Sequence, residues 1–180
     1  AGAAIKLCQL DSWQIACGRS LVAALFLFAA LKSARTRPSL RTLAVGAAYL
    51  LGSIPFSFLV ARHHGVDVRK AGSGNVGATN VMRTAGRTAG VVAFLLDSGK
   101  GVLAVLAARA LGQGSPLEAL AAVAAILGHL YPIWLKGKGG KGVATGAGTF
   151  LLLAPWPTLL ALLAFALTLA TVRYVSVASM

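Results

Sequence analysis

Residues 88–111 read TAGVVAFLLDSGKGVLAVLAARAL. A helix that crosses a bilayer needs about 20 mostly apolar residues, each adding about 1.5 Å of rise. The stretch has that length, and inside it only Asp97 and Lys100 interrupt the apolar run, with Arg109 near its end. Working outward, Thr42–Ala61 has the same character, and so does 117–135, which encloses His129. Residues 143–172 carry no charge at all. That run is too long for one crossing and is cut by Pro155 and Pro157, so it reads as two helices joined by a short turn. The first of the two would be short, tilting little or starting within the preceding loop. The expected fold is all-α, a polytopic transmembrane helical bundle with glycine-rich cytoplasmic loops.

Composition agrees. Only 12% of the 180 residues are charged and 57% are hydrophobic; soluble domains carry roughly 25% charged residues. The net charge of +13 comes from 17 Lys and Arg against Asp11, Asp67, Asp97 and Glu118. These cations form no continuous arm. They cluster between apolar runs, which excludes nucleic acid as the partner and points to membrane lipid and anionic substrates. Arg62, Arg69, Lys70, Arg83 and Arg87 follow the first span; Lys136, Lys138 and Lys141 follow the third; Arg173 follows the last. The opposite connections, Gly112–Pro116 and Pro155–Pro157, carry neither Lys nor Arg. If each span crosses once, the basic loops share the cytoplasmic side.

Residues 1–40 stand apart as an N-terminal extension of unknown role, ahead of a membrane domain at 41–180. Leu21–Leu31 is an apolar run of eleven, short for a span, and Lys32, Arg35, Arg37 and Arg41 after it oppose the positive-inside trend. An interfacial helix, a processed leader and a stretch outside the true gene start are all open. Cys8 and Cys17 are too few for a disulfide framework, and no metal-ligand spacing occurs.

Three strings carry chemistry. The first is Gly72-Ser73-Gly74-Asn75-Val76-Gly77-Ala78-Thr79-Asn80-Val81-Met82-Arg83. Glycines let successive backbone N–H groups converge on an anion, and Arg can grip phosphate oxygens in pairs. Ser73, Thr79 and Asn80 add neutral donors, so the string reads as a phosphate cradle. Gly72, Gly74 and Gly77, with Asp97 twenty residues on, mimic a dinucleotide fingerprint. The basic, polar segment before them is no buried strand, and Asp97 lies inside an apolar span, so that reading fails.

The second string is Asp97-Ser98-Gly99-Lys100-Gly101. Its acid and base, three apart, share a helix face. Ionisable groups in a membrane segment are costly and usually functional; a purely structural ion pair and a polar substrate site both remain open. The third runs from Gly128-His129-Leu130-Tyr131-Pro132 to Lys136-Gly137-Lys138-Gly139-Gly140-Lys141-Gly142-Val143-Ala144-Thr145. It is no Walker A loop, because Gly142 stands where Ser or Thr belongs and Leu135 where the first Gly belongs. Lysines among glycines still suit a polyanion. His129 is as consistent with a satisfied interior histidine as with a site residue. No nucleophile–His–acid set is present, and His63 and Asp67 are one residue too close for an H-x-x-x-x-D acyltransferase motif.

With Gly52-Ser53-Ile54-Pro55-Phe56 and the string Arg173 through Ser179, these motifs resemble the acyl-phosphate-dependent glycerol-3-phosphate acyltransferases of bacteria, the PlsY family. The resemblance runs from about Leu43 to Met180. It implies an inner-membrane enzyme with its site facing the cytoplasm, fatty acyl phosphate as donor and glycerol 3-phosphate as acceptor. It implies no cofactor, no metal and no protein partner. Ser73, Arg83 and Lys141 are the residues it marks as catalytic. Gly74, Asn75, Gly77, Thr79, Asn80, Lys100, His129, Lys138, Gly139 and Gly140 are expected to bind substrate or its phosphate. The family continues to a terminal string of the type His-Arg-Glu-Asn-Ile beyond the last residue here, which marks the chain as a truncated member. A transporter for a phosphorylated solute is the alternative reading, and a lipid-binding scaffold the third.

Overall fold

A computed structural model describes residues 39–112 and 114–172, with the side chains of 169–172 left out. The extension before residue 39, with Cys8, Cys17 and Leu21–Leu31, lies outside the described residues, as does 173–180. The chain divides into two compact units, Ala1–Thr42 and Leu43–Met180, and the second holds every motif above.

The regular structure among the described residues is helical: α1 (Leu40–Ser53), α2 (Phe56–His63), α3 (Ala78–Thr84), α4 (Arg87–Ala110), α5 (Ser115–Leu130), a 3-10 turn at Ile133–Leu135, α6 (Val143–Leu153) and α7 (Pro155–Val172). Leu40–His63, Arg87–Ala110 and Ser115–Leu135 are long and apolar enough to cross a membrane. The expected cut at Pro155 is present. Two expected spans are less regular than their hydropathy suggests. Thr42–Ala61 is not one helix, because Pro55 has no N–H to donate and ends α1 at Ser53. Pro132 likewise stops α5 two residues before it and leaves only a short turn after it.

The packing is inverted relative to a soluble bundle. The buried cluster joining α1, α4 and α5 consists of Ala48, Ala104, Ala108, Ala121, Ala124 and Ala125, with Leu117 as its one large member. Large side chains such as Leu95, Leu103, Trp156, Leu160 and Leu163 face outward. Association in lipid gains nothing from burying Leu, so helices meet through small residues that let backbones approach. Gly52 and Gly128 seat α1 on α5: a Cβ on Gly52 would collide with the Ala125 carbonyl, and one on Gly128 with that of Tyr49. Gly101 and Gly148 do the same for α4 and α6, facing Thr145 and Ser98.

These contacts fix the depth of α6. Thr145, in its first turn, donates to the carbonyl of Asp97 at 2.9 Å, near the middle of α4. At its other end the Leu152 carbonyl accepts from Arg109 at 3.3 Å, beside the end of α4. With eleven residues, α6 is about 16 Å long, roughly half the hydrocarbon thickness. It runs only along the second half of α4, so the glycine-rich loop before it descends to the level of Asp97.

Candidate active site

Every ionisable group inside the spans needs a partner, and the one at mid-depth has several. Asp97 and Lys100 project from α4, both almost fully buried, and pair at 2.8 Å. Ser57 of α2 donates to the second carboxylate oxygen of Asp97 at 2.5 Å. His129 of α5 brings Nδ1 to 3.5 Å from the first. Lys100 also donates to the Ile54 carbonyl at 2.7 Å, in the break between α1 and α2. Irregular backbone is tolerated at membrane depth only where protein satisfies it, and Lys100 does so here. The cavity among Ser57, Asp97, Lys100, His129 and Gly140 is about 10 Å³, space for a water at most. Lys100, expected to bind substrate, is held in this buried network by Asp97 and the Ile54 carbonyl.

The first loop is organised by Asn80, on α3. Its amide nitrogen donates to the carbonyls of Val68, Ala71 and Asn75, each at 3.0 Å, and its oxygen accepts the Ser73 N–H at 3.0 Å. Asn80 is buried and its side chain is spent on the loop's own backbone. Gly72 and Gly74 take positive φ, and a Cβ at Gly72 would strike the Asn80 side chain. Gly77 precedes α3 in extended conformation. Thr79 and Asn75 are half-buried, while Ser73, Gly74 and Arg83 are exposed. Arg83 lies in the last turn of α3, whose neighbouring Met82 packs on Gly90 of α4. Upstream, the Arg69 guanidinium holds the Asp67 carboxyl well below the usual carboxylate range, through hydrogen bonds of 2.8 and 2.9 Å.

The second loop lies on His129. Gly139 donates its N–H to the Leu130 carbonyl at 3.1 Å. A Cβ on Gly140 would collide with His129 Nε2 and stand 2.7 Å from the Val76 carbonyl. Glycine is therefore needed at 139 and 140 for close packing, and Gly140 is where the two loops touch. The side chains of Lys138 and Lys141 are exposed and, like those of Arg83 and Ser73, bond to no described residue. Gly142, at positive φ, leads into α6, whose first turn has no side-chain cap; unpaired N–H groups there favour an anion.

The sequence strings thus converge, through Val76, Gly140, His129 and Asp97. Ser57 and the Ile54 carbonyl bond into the same node and are not among the expected site residues; their signal in the sequence is the string Gly52–Phe56, with Pro55 breaking the helix beside them.

This arrangement sets cationic glycine loops against a buried polar node in a bundle of helices packed through small residues. Residues 42–180 match the family described as Glycerol-3-phosphate acyltransferase, and the chain belongs to that family. The glycerol-3-phosphate acyltransferase of Geobacter sulfurreducens is 53% identical over 132 residues, covering 73% of this chain and 68% of the relative. That of Rubrobacter xylanophilus is 52% identical over 143 residues, covering 78% and 71%. Among solved structures, PlsY (YgiH), described as an integral membrane glycerol 3-phosphate acyltransferase, superposes in its glycerol 3-phosphate form with a TM-score of 0.72. Identity there is 43%, over 77% of this chain and 70% of that one. Its lysophosphatidic acid form gives a TM-score of 0.70.

Proposed function

We propose that this acyltransferase moves a fatty acyl group from acyl phosphate to the 1-hydroxyl of glycerol 3-phosphate, giving lysophosphatidic acid and inorganic phosphate for phospholipid synthesis. The observation that carries the reading is the meeting of two glycine-and-cation loops at Val76 and Gly140. Both substrates carry phosphate, and each loop presents an unpaired cation, Arg83 on one and Lys138 with Lys141 on the other. The relatives' names and the glycerol 3-phosphate and lysophosphatidic acid forms of PlsY support the same acceptor and product.

The acceptor hydroxyl oxygen attacks the acyl carbonyl carbon. The ester C–O bond forms, the bond from that carbon to the phosphate oxygen breaks, and phosphate departs with the electron pair. Phosphate leaves readily, so no covalent enzyme intermediate is required. The hydroxyl proton goes to a substrate phosphate oxygen, since the chain's buried carboxylate is already engaged by Lys100 and Ser57. Arg83 and Lys141 stabilise the departing charge, and Ser73 with Asn75 orients substrate; positioning and electrostatics supply the rate. Asn80, Gly139 and Gly140 act by shaping the loops. An apolar groove of about 290 Å³ between α2 and α4, lined by Phe56, Leu59, Val92 and Leu96, suits the acyl tail. The basic loops between the spans support a site on the cytoplasmic face of a bacterial inner membrane.

The test is phosphate release from palmitoyl phosphate by the detergent-purified chain, with and without glycerol 3-phosphate. Acceptor-dependent release that falls by about a hundredfold or more in Lys141→Ala is expected, the scale of losing one transition-state charge contact. Release indifferent to the acceptor, or to Lys141, would overturn the reading.

A further inference from the structure

The two loops meet at Gly140, and His129 packs against it. One edge of the imidazole, Nδ1, faces the Asp97 carboxylate at 3.5 Å. The other, Nε2, abuts Gly140, whose neighbour across the gap is the Val76 carbonyl. Asp97 is itself held by Lys100 at 2.8 Å and Ser57 at 2.5 Å. Its carbonyl also anchors Thr145, three residues past Gly142, where the second loop ends.

We infer that His129, oriented by Asp97, is a positioning residue that sets the register of the lysine loop against the serine–arginine loop. It touches no substrate. The buried node holds the ring, the ring supports Gly140, and Gly140 fixes how Lys138 and Lys141 stand relative to the backbone at Val76. Small misplacements of reacting groups are costly, so a ring that drifts would weaken a site it never enters. This inference rests on the acyltransferase reading for its effect on turnover, but its effect on the loop does not.

His129 is also the node member that can be changed without stranding a charge, because Asp97 keeps Lys100 and Ser57. Two variants separate positioning from packing. His129→Leu fills similar space with no polar group toward Asp97; His129→Asn is smaller but puts a polar amide near the place of Nδ1. Two readouts are compared in the whole detergent-purified chain: kcat/KM for glycerol 3-phosphate, and the rate of trypsin cleavage at Lys136, Lys138 and Lys141. Expected for His129→Leu is a fall in kcat/KM of about tenfold to a hundredfold and severalfold faster loop cleavage, with an unchanged thermal midpoint. His129→Asn should recover most of both. If His129→Leu matches the unaltered chain, or His129→Asn is as impaired as His129→Leu, the inference is overturned. A chain that shows no acceptor-dependent phosphate release would instead sink the acyltransferase reading, and the cleavage rates would still decide whether His129 orders the loop.

Discussion

Lys100 shows how an identical side chain reads differently from inside and outside. In the sequence it is a cation within an apolar span, with a structural pair and a substrate site both open. In the fold its ammonium is shared between Asp97 at 2.8 Å and the Ile54 carbonyl at 2.7 Å. Replacing it by Met leaves a buried carboxylate without its cation and a carbonyl without its donor. Breaking a buried pair from one side costs about 3–5 kcal/mol, so Lys100→Met should sharply lower the thermal midpoint in detergent. A double change, Asp97→Leu with Lys100→Met, should recover part of that loss. Asn80 teaches the same lesson. Its place in a glycine-rich string marked it for substrate, yet all of its amide is turned inward on Val68, Ala71, Ser73 and Asn75. Residue type and spacing show that a polar group is needed; they do not show which way it faces. Asn80→Ala leaves three carbonyls and an N–H without that partner, and should speed proteolysis of the 68–77 loop.

Among elements, hydropathy located the long helices because lipid imposes length and composition on them directly. Arg87–Ala110 and Ser115–Leu135 follow from that constraint, and the cut at Pro155 from proline chemistry. The break at Ile54 was legible in principle, since Pro55 sits in the string. It was overridden by the apolar run around it. The depth of α6 was not legible, because it depends on glycine-to-backbone contacts with α4 that no window of sequence contains. Those contacts are testable. Gly148→Ala drives a methyl into the Ser98 carbonyl and should cost about 1–3 kcal/mol, as overpacking does. Gly46→Ala meets nothing within 4 Å and should hold or slightly raise stability, helix propensity favouring alanine by about 1 kcal/mol.

At the scale of the whole molecule, the charge of +13 is distributed unevenly, and both glycine-rich loops lie where it concentrates. Such a field raises the encounter rate of an anionic solute and is screened by salt. Glycerol 3-phosphate is doubly anionic at neutral pH, so kcat/KM for it should fall severalfold between about 50 and 500 mM salt, with kcat nearly constant. Equal loss in both would place the salt effect on the chemistry instead. The half-length of α6 has a consequence for biogenesis. At about 16 Å it cannot satisfy the insertion machinery as an independent membrane segment. It is expected to enter lipid only together with α7. A reporter fused after Leu153 should therefore remain outside the bilayer, while one fused after Val172 should mark a stably inserted pair.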